Sequence, residues 1–157
     1  MTDESPTILI CYDGSEYAAH AIAVAARLFP GAQAHVLNVW EPLERIIARY
    51  AALGPYIVEN VGEADTDIEG EASRMAAAGA QLASEAGLRA TTQTASLHTT
   101  VWEAVVEVAD ALDVDAIVTG TRSLHGMREV FSSPLTHALL QHSARPVVAI
   151  PARAPSG

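Results

Sequence analysis

Cysteine and aromatic residues are scarce in this sequence, and their scarcity limits the kinds of cross-link, metal site and core that the chain can form. Cys11 is the only cysteine among 157 residues, so the sequence provides for neither an intrachain disulfide nor a cysteine metal cluster. Aromatic residues make up 5% of the chain, although 50% of it is hydrophobic. We therefore expect alanine-rich helices to pack closely on a sheet, with Cys11 as a small core residue rather than a nucleophile.

Long apolar runs are absent, and basic residues are few. No run approaches the length of a membrane span, and Met1-Thr2-Asp3-Glu4 lacks the basic start of a signal peptide. The chain has 19 acidic and 9 basic residues, a formal net charge of -10. Because nucleic-acid binding needs a basic face that releases counterions, this charge argues against a nucleic-acid partner. We predict one cytoplasmic domain over 1–157, with an ordered core from about residue 6 to about residue 152 and no membrane partner.

Strand patterns alternate with helical patterns along the chain. The run 7–12 is continuously apolar, as expected for a parallel strand that is covered on both faces, and 34–39 is the next strand. The polar run 90–95 predicts an edge strand, and 115–119 and 147–150 predict two more strands. Strand, helix and strand at this spacing imply right-handed parallel crossovers. The pattern predicts the α/β fold class, a doubly wound sheet with a ligand crevice at the carboxyl ends of strands one and four.

Helix starts and apolar stripes are also readable. Ser15 and Thr100 are predicted N-caps, the second in a capping box with Glu103, and Ser133-Pro134 is a strong pair for starting the last helix. A helix is predicted over 65–86, with an apolar stripe formed by Ile68, Ala72, Met75, Gly79, Leu82 and Ala86. The helix after Thr100 is predicted to bury Trp102, Val105, Val106, Ala109 and Leu112. The 40–67 stretch predicts a lid or partner-facing excursion, with a short helix over 42–52.

Two loops meet at the predicted crevice. One follows strand one and contains Asp13; the other follows strand four and contains Gly120. The Asp13 carboxylate is suited to accept a hydrogen bond from a ribose hydroxyl or a base amine, and an Asx turn that caps the first helix is an equally supported alternative. Val39, at the end of strand two, either offers its backbone groups to a base edge or is a core residue.

Three ordered blocks of the sequence resemble the universal stress protein family. They are 8–15 (ILICYDGS), 116–122 (AIVTGTR) and 142–148 (HSARPVV), and the resemblance covers nearly the whole chain. It implies a five-stranded parallel Rossmann-like sheet in the order 3-2-1-4-5, with helices on both faces. It also implies a homodimer built through the last strand, here Val147, Val148 and Ile150.

One subfamily of universal stress proteins has an ATP site, and the resemblance implies which residues would form it here. Asp13 and the end of strand two near Val39 would contact adenosine. The phosphate motif is only partly present, because Gly120 and Gly126 are kept whereas Ser123 and Ser133-Pro134 replace its other glycines and its final serine or threonine. The candidate nucleotide-binding residues are Tyr12, Asp13, Val39, Thr119, Gly120, Arg122, Ser123, Gly126, Ser132, Ser133 and Thr136.

The loss of phosphate affinity caused by Pro134 can be estimated. Pro134 has no amide hydrogen, and a charge-assisted hydrogen bond to phosphate is worth roughly 1.5–3 kcal/mol, or about ten- to a hundredfold in affinity. Side-chain donors such as Arg122, Ser123, Ser132 and Thr136 are available to compensate.

Three functions remain as alternatives. The first is a stress-response regulatory protein that binds an adenine nucleotide (ATP, AMP or a cyclic nucleotide), with or without Mg²⁺, and is at most a slow ATPase. His125 is the only candidate base near Gly120, and the histidines show no metal-ligand spacing. The second is a dimeric stress-response module that binds no nucleotide and acts through protein partners. The third, an enzyme of a related adenine-binding fold, is least supported because the first turn lacks a three-glycine fingerprint.

Overall fold

The computed structural model describes residues 4–50, 61–121 and 134–152. The strands are β1 (Thr7–Cys11), β2 (Gln33–Trp40), β3 (Arg89–Ser96), β4 (Ala116–Thr121) and β5 (Val147–Pro151). The helices are α1 (Glu16–Leu28), α2 (Leu43–Tyr50), α3 (Val61–Glu85), α4 (Val101–Ala111) and α5 (Pro134–His142). Within the described ranges, no helix has the length and apolar character needed to cross a membrane.

All five strands run parallel in one sheet, in the order β3-β2-β1-β4-β5. The central strand β1 pairs with β2 as far as Cys11 and Leu37, and with β4 as far as Ile10 and Val118. The predicted fold class and strand order are therefore confirmed. The order reverses between β1 and β4, and at such a reversal an open α/β sheet leaves a crevice beyond the carboxyl ends of its strands.

Helices cover both faces of the sheet because successive side chains of a strand point to opposite faces. Ile8 and Ile10 pack with α1 and α3 in one core cluster. Leu9 packs on the other face with Val105 of α4 and Leu139 of α5. The apolar run of β1 is thus explained by burial on both faces, as predicted. The polar strand β3 lies at an edge, which is also as predicted.

The apolar stripe predicted for α3 is partly wrong. Leu82 is 38% exposed, and Ala86 lies exposed beyond the last residue of the helix. The buried line consists of Ala72, Ala76, Gly79, Ala80 and Ala83. A Cβ on Gly79 would stand 2.6 Å from Cδ1 of Tyr12 and 2.8 Å from Cγ1 of Val36, so the helix lies very close to the sheet. Small residues therefore face the sheet, and the longer Leu82 points to solvent.

The stripe predicted for α4 is also only partly right. Val105 and Ala109 are buried as predicted, and Ala104 is buried with them. The three remaining predicted residues are only partly buried; they are Trp102, Val106 and Leu112.

Helix starts follow the capping residues. The Ser15 hydroxyl accepts a hydrogen bond from the Ala18 N–H at 3.2 Å, and Thr100 forms a complete capping box with Glu103. The first residue of α5 is Pro134, as predicted, while Ser133 lies outside the described residues.

Arg145, in the last of the three sequence blocks, ties α4 to β5. Its guanidinium donates to the carboxylates of Asp110 at 2.9 Å and Asp113 at 3.2 Å, and also to the carbonyl oxygen of Val114. This block therefore has a structural role at the end of the sheet opposite to the crevice.

Candidate functional site

The carboxyl ends of β1, β2 and β4 meet where the strand order reverses. The candidate residues that the structure describes fall on two sides of this crevice. The β1–β2 side consists of Tyr12, Asp13, Asn38 and Val39, and the β4–α5 side consists of Thr119, Gly120 and Thr136. The other predicted site residues lie outside the described residues; they are Arg122, Ser123, Gly126, Ser132 and Ser133.

Asp13 forms the Asx turn that the sequence left as an alternative. Its Oδ1 accepts a hydrogen bond from the Ser15 N–H at 3.0 Å, and Gly14 between them has φ +82°. The side chain is exposed, so Oδ2 remains available at the crevice. The structural and the ligand-binding interpretations of Asp13 are therefore compatible.

Asn38 is a site residue that the sequence analysis missed. Its Nδ2 donates to the carbonyl oxygen of Tyr12 at 2.9 Å and to Sδ of Met75 on α3 at 3.2 Å, and only 8% of the residue is exposed. The available signal was a lone amide in an otherwise apolar stretch of β2. Asn38 therefore links β2 to Tyr12, the residue after β1, and to Met75 of α3.

The main chain of Val39 lies past the last pair of β1 and β2. Alternate residues of a parallel strand direct their N–H and C=O to opposite neighbours. The carbonyl of Leu37 accepts from the Tyr12 N–H and that of Trp40 accepts from the Leu97 N–H, so odd-numbered residues face β1 and even-numbered ones face β3. The main chain of Val39 therefore faces the space beyond the end of β1, while its half-buried side chain packs against the core.

On the β4–α5 side, packing accounts for Gly120. A Cβ at this position would stand 2.7 Å from the backbone oxygen of Tyr17 and 3.4 Å from Cβ of Ala21. Only glycine lets β4 approach the first turn of α1 this closely. Gly120 is thus required by the fold whether or not a phosphate binds beside it.

Thr119 and Thr136 are both buried at this side, each 3% exposed. The hydroxyl of Thr136, the third residue of α5, has no hydrogen-bond partner in the part of the chain that the structure describes. The helix dipole and the free amides of the first turn favour an anion at this end of α5. Thr136 therefore places a buried hydroxyl in the first turn of α5, the end of the helix that favours an anion.

The raised pKa of Cys11 argues against a role for its thiol as a nucleophile. Burial raises the pKa of the Cys11 thiol to about 12, and the negative charge of Asp13 adds to the rise. The thiol is therefore protonated at neutral pH and unsuited to act as a nucleophile. Among the described residues, no three histidine, cysteine or acidic side chains are grouped to hold a metal ion.

A second cavity, with a volume of about 360 Å³, lies between the end of β3 and the start of α4. Its lining includes Ser96, His98 and Trp102, with Ser96 Oγ 3.0 Å from His98 Nε2. Trp102 stacks on His142 with 4.3 Å between the ring centroids. The sequence did not predict this cavity, because its walls come from a loop and a helix start that carry no recognisable motif.

The outer edge of β5, with which none of the described strands pairs, is the predicted dimer contact. Val147 and Val148 are half-buried, whereas Ile150 is 4% exposed and belongs to the core of its own chain. The edge therefore presents main-chain groups and two valines, and the Ile150 side chain is not accessible to a partner.

Comparisons with known proteins agree with this architecture. The crystal structure of a universal stress protein family member from Burkholderia pseudomallei has a TM-score of 0.70 and 19% identity, covering 97% of this chain and 100% of that one. The universal stress protein from Archaeoglobus fulgidus in complex with dAMP has a TM-score of 0.58 and 17% identity, with coverages of 92% and 96%. A universal stress protein family protein from Arabidopsis thaliana with AMP bound has a TM-score of 0.63 and 11% identity, with both coverages at 96%.

At sequence level, a comparison with curated proteins finds no match. The profile of the universal stress protein family matches residues 5–151. The chain belongs to the universal stress protein family.

Proposed function

We propose that this protein binds an adenine nucleotide in the crevice between the β1–β2 and β4–α5 sides and acts as a stress-response regulator without efficient turnover. The observation that carries the proposal is the Val39 main chain, which faces the space beyond the end of β1, the strand that the exposed Asp13 follows. A backbone N–H and C=O suit the edge of a base, and a carboxylate oxygen suits a ribose hydroxyl. The dAMP and AMP complexes of structurally similar family members support the choice of ligand.

The described residues on the β4–α5 side also fit a phosphate. The Thr136 hydroxyl is unpartnered there, and the start of α5 carries a positive partial charge. Pro134, as the first residue of the helix, has no N–H to donate. We therefore expect a site whose nucleoside half is complete and whose phosphate half is weakened, and any Mg²⁺ would be held mainly by the phosphates.

Calorimetry with AMP, a cyclic nucleotide and ATP, each with and without Mg²⁺, tests the proposal. We expect AMP or the cyclic nucleotide to compete with ATP more successfully than they do at a site with the complete phosphate motif. Mass spectrometry of the denatured, purified protein for co-purified nucleotide is an independent measurement. Tight, magnesium-dependent ATP binding would contradict the weakened phosphate half, and no binding of any adenine nucleotide would contradict the function.

Restoring the phosphate motif tests the same point from the other direction. The triple substitution Ser123→Gly, Ser133→Gly and Pro134→Ser reinstates the missing backbone donor and the two glycines. ATP affinity is expected to rise about ten- to a hundredfold, while AMP affinity changes less. The absence of any gain would mean that the site does not hold the distal phosphates.

We expect slow hydrolysis of ATP at this site. A hydrolase needs a positioned general base, and His125 is the only candidate that the sequence offers near Gly120. Phosphate release from ATP by His125→Ala should match that of the wild type. A large drop in this variant would assign His125 a catalytic role.

A second candidate function is a dimeric module that binds no nucleotide and acts through protein partners. Two observations favour it: Asp13 and Gly120 both have structural roles, and none of the described strands pairs with the outer edge of β5. Light scattering at micromolar concentration decides whether a dimer exists. A dimer in a protein that binds no AMP would support this candidate, and a monomer would remove it.

A further inference from the structure

The buried amide of Asn38 replaces a backbone hydrogen bond at the end of β2. In a continued parallel ladder, the carbonyl of Tyr12 would accept from the N–H of Val39, two residues after Leu37. Here that carbonyl accepts from Asn38 Nδ2 at 2.9 Å instead. The second hydrogen on Nδ2 is directed to Sδ of Met75 at 3.2 Å. Both acceptors require a donor, so the nitrogen of the amide must face them.

We infer that Asn38 is a positioning residue for base recognition: by occupying the Tyr12 carbonyl, it leaves the Val39 N–H free for the base of the bound nucleotide. This inference rests on the proposed nucleotide function for its ligand but not for its backbone geometry. The hydrogen bond is internal to the protein, and the residue is buried.

The freed backbone groups give the crevice a preference among bases. Val39 then presents one donor and one acceptor, which match the ring nitrogen acceptor and the amino donor of adenine. Hypoxanthine carries a donor and an acceptor in the opposite arrangement. It would place its N–H against the Val39 N–H and its carbonyl oxygen against the Val39 C=O. Adenine should therefore be selected over hypoxanthine by the backbone, provided that the Val39 N–H is not drawn to Tyr12.

Amide hydrogen exchange measured by NMR on the nucleotide-free protein tests the backbone part. The Val39 amide should exchange faster than the Leu37 amide, which lies within the region paired with β1. In Asn38→Leu, which removes the donor and keeps the branched shape of the side chain, the Tyr12 carbonyl becomes available and the Val39 amide should become more protected. Thr94→Val is the matched control, because Thr94 is the β3 partner of Asn38 in the register. A wild-type Val39 amide as protected as that of Leu37 would overturn the inference.

Binding of AMP and IMP tests the recognition part. The ratio of AMP to IMP affinity should fall about two- to tenfold in Asn38→Leu, the value of one hydrogen bond, and stay unchanged in Thr94→Val. An equal loss for both nucleotides would show a merely structural role and contradict the inference. If the wild type binds no adenine nucleotide, the proposed function fails, and the exchange experiment alone decides the role of Asn38. Should Asn38→Leu not fold, the wild-type exchange rates of Val39 and Leu37 still give the decision.

Discussion

The two sides of the crevice use their polar groups differently. On the β1–β2 side, Asp13 holds the turn with one oxygen and Asn38 holds the Tyr12 carbonyl, and these bonds leave specific groups free, namely Asp13 Oδ2 and the Val39 main chain. On the β4–α5 side, the glycine that looks like part of a phosphate motif is required by the close approach of Tyr17. The comparison teaches that packing alone accounts for Gly120, whereas the proposal of base binding rests on groups that the bonds of Asp13 and Asn38 leave free.

The raised pKa of Cys11, at the end of β1, predicts that its thiol reacts slowly in the folded protein. With its pKa raised by burial from an ordinary 9.0 to about 12, the fraction of thiolate falls about a thousandfold. The rate of reaction with a thiol reagent at pH 8 should therefore be about a thousandfold lower in the native protein than in urea. Fast native labelling would mean that this side opens and would weaken the contrast with the β4–α5 side.

Substitutions of Asp13 separate its role in the turn from its proposed role in nucleotide binding. Asp13→Asn keeps an oxygen for the Ser15 N–H but replaces the free oxygen by a donor, so AMP affinity should fall about ten- to a hundredfold with little loss of stability. Asp13→Ala should lose both the affinity and the turn. Glu85→Gln, at the far end of α3, is the control with the same change in charge. Equal AMP binding by wild type and Asp13→Asn would leave Asp13 with its structural role alone.

Gly120→Ala tests how rigid the β4–α5 side is. The new Cβ would meet the backbone of Tyr17 at 2.7 Å, and overpacking of this kind costs about 1–3 kcal/mol in the free energy of unfolding. The corresponding change on the other side, Gly79→Ala, should cost less, because helix propensity returns about 1 kcal/mol.

The control for both is Gly70→Ala, also on α3, where the nearest atom to a Cβ is Arg74 Nη1 at 3.8 Å. This variant should be stabilised by up to about 1 kcal/mol. Urea denaturation of the three variants gives the order. A neutral Gly120→Ala would mean that the backbone of α1 yields and that packing does not explain this glycine.

The sequence predicted the α/β class and the position of the crevice because continuous apolar runs alternate with capped helical patterns. The strand order was implied only by the resemblance of three blocks to the universal stress protein family. It did not predict Asn38, whose partner just after β1 is 26 residues away and is a backbone carbonyl that leaves no trace in the sequence. The predicted α3 stripe failed at Leu82 for a related reason, since the distance of a helix from the sheet depends on residues such as Tyr12 that lie elsewhere in the chain. Periodicity identifies elements, but close approaches between them have to be observed.

The smallest expected effect concerns the half of the sheet that supports the β1–β2 side. His35 on β2 is 8% exposed with Nδ1 2.7 Å from the Thr91 hydroxyl, and burial lowers its pKa below the ordinary 6.5. The unfolded chain therefore binds a proton more readily than the folded one, so this contribution to stability is complete above pH 6.5 and is lost as the pH falls toward the folded pKa.

His35→Gln keeps a hydrogen-bonding group but cannot titrate, and its urea midpoint should depend less on pH below 6.5 than that of the wild type. His137→Gln, on the exposed surface of α5, serves as the control that should retain the wild-type slope. Equal slopes for wild type and His35→Gln would show that His35 is hydrated, and that the β2–β3 half is less closely packed than its burial indicates.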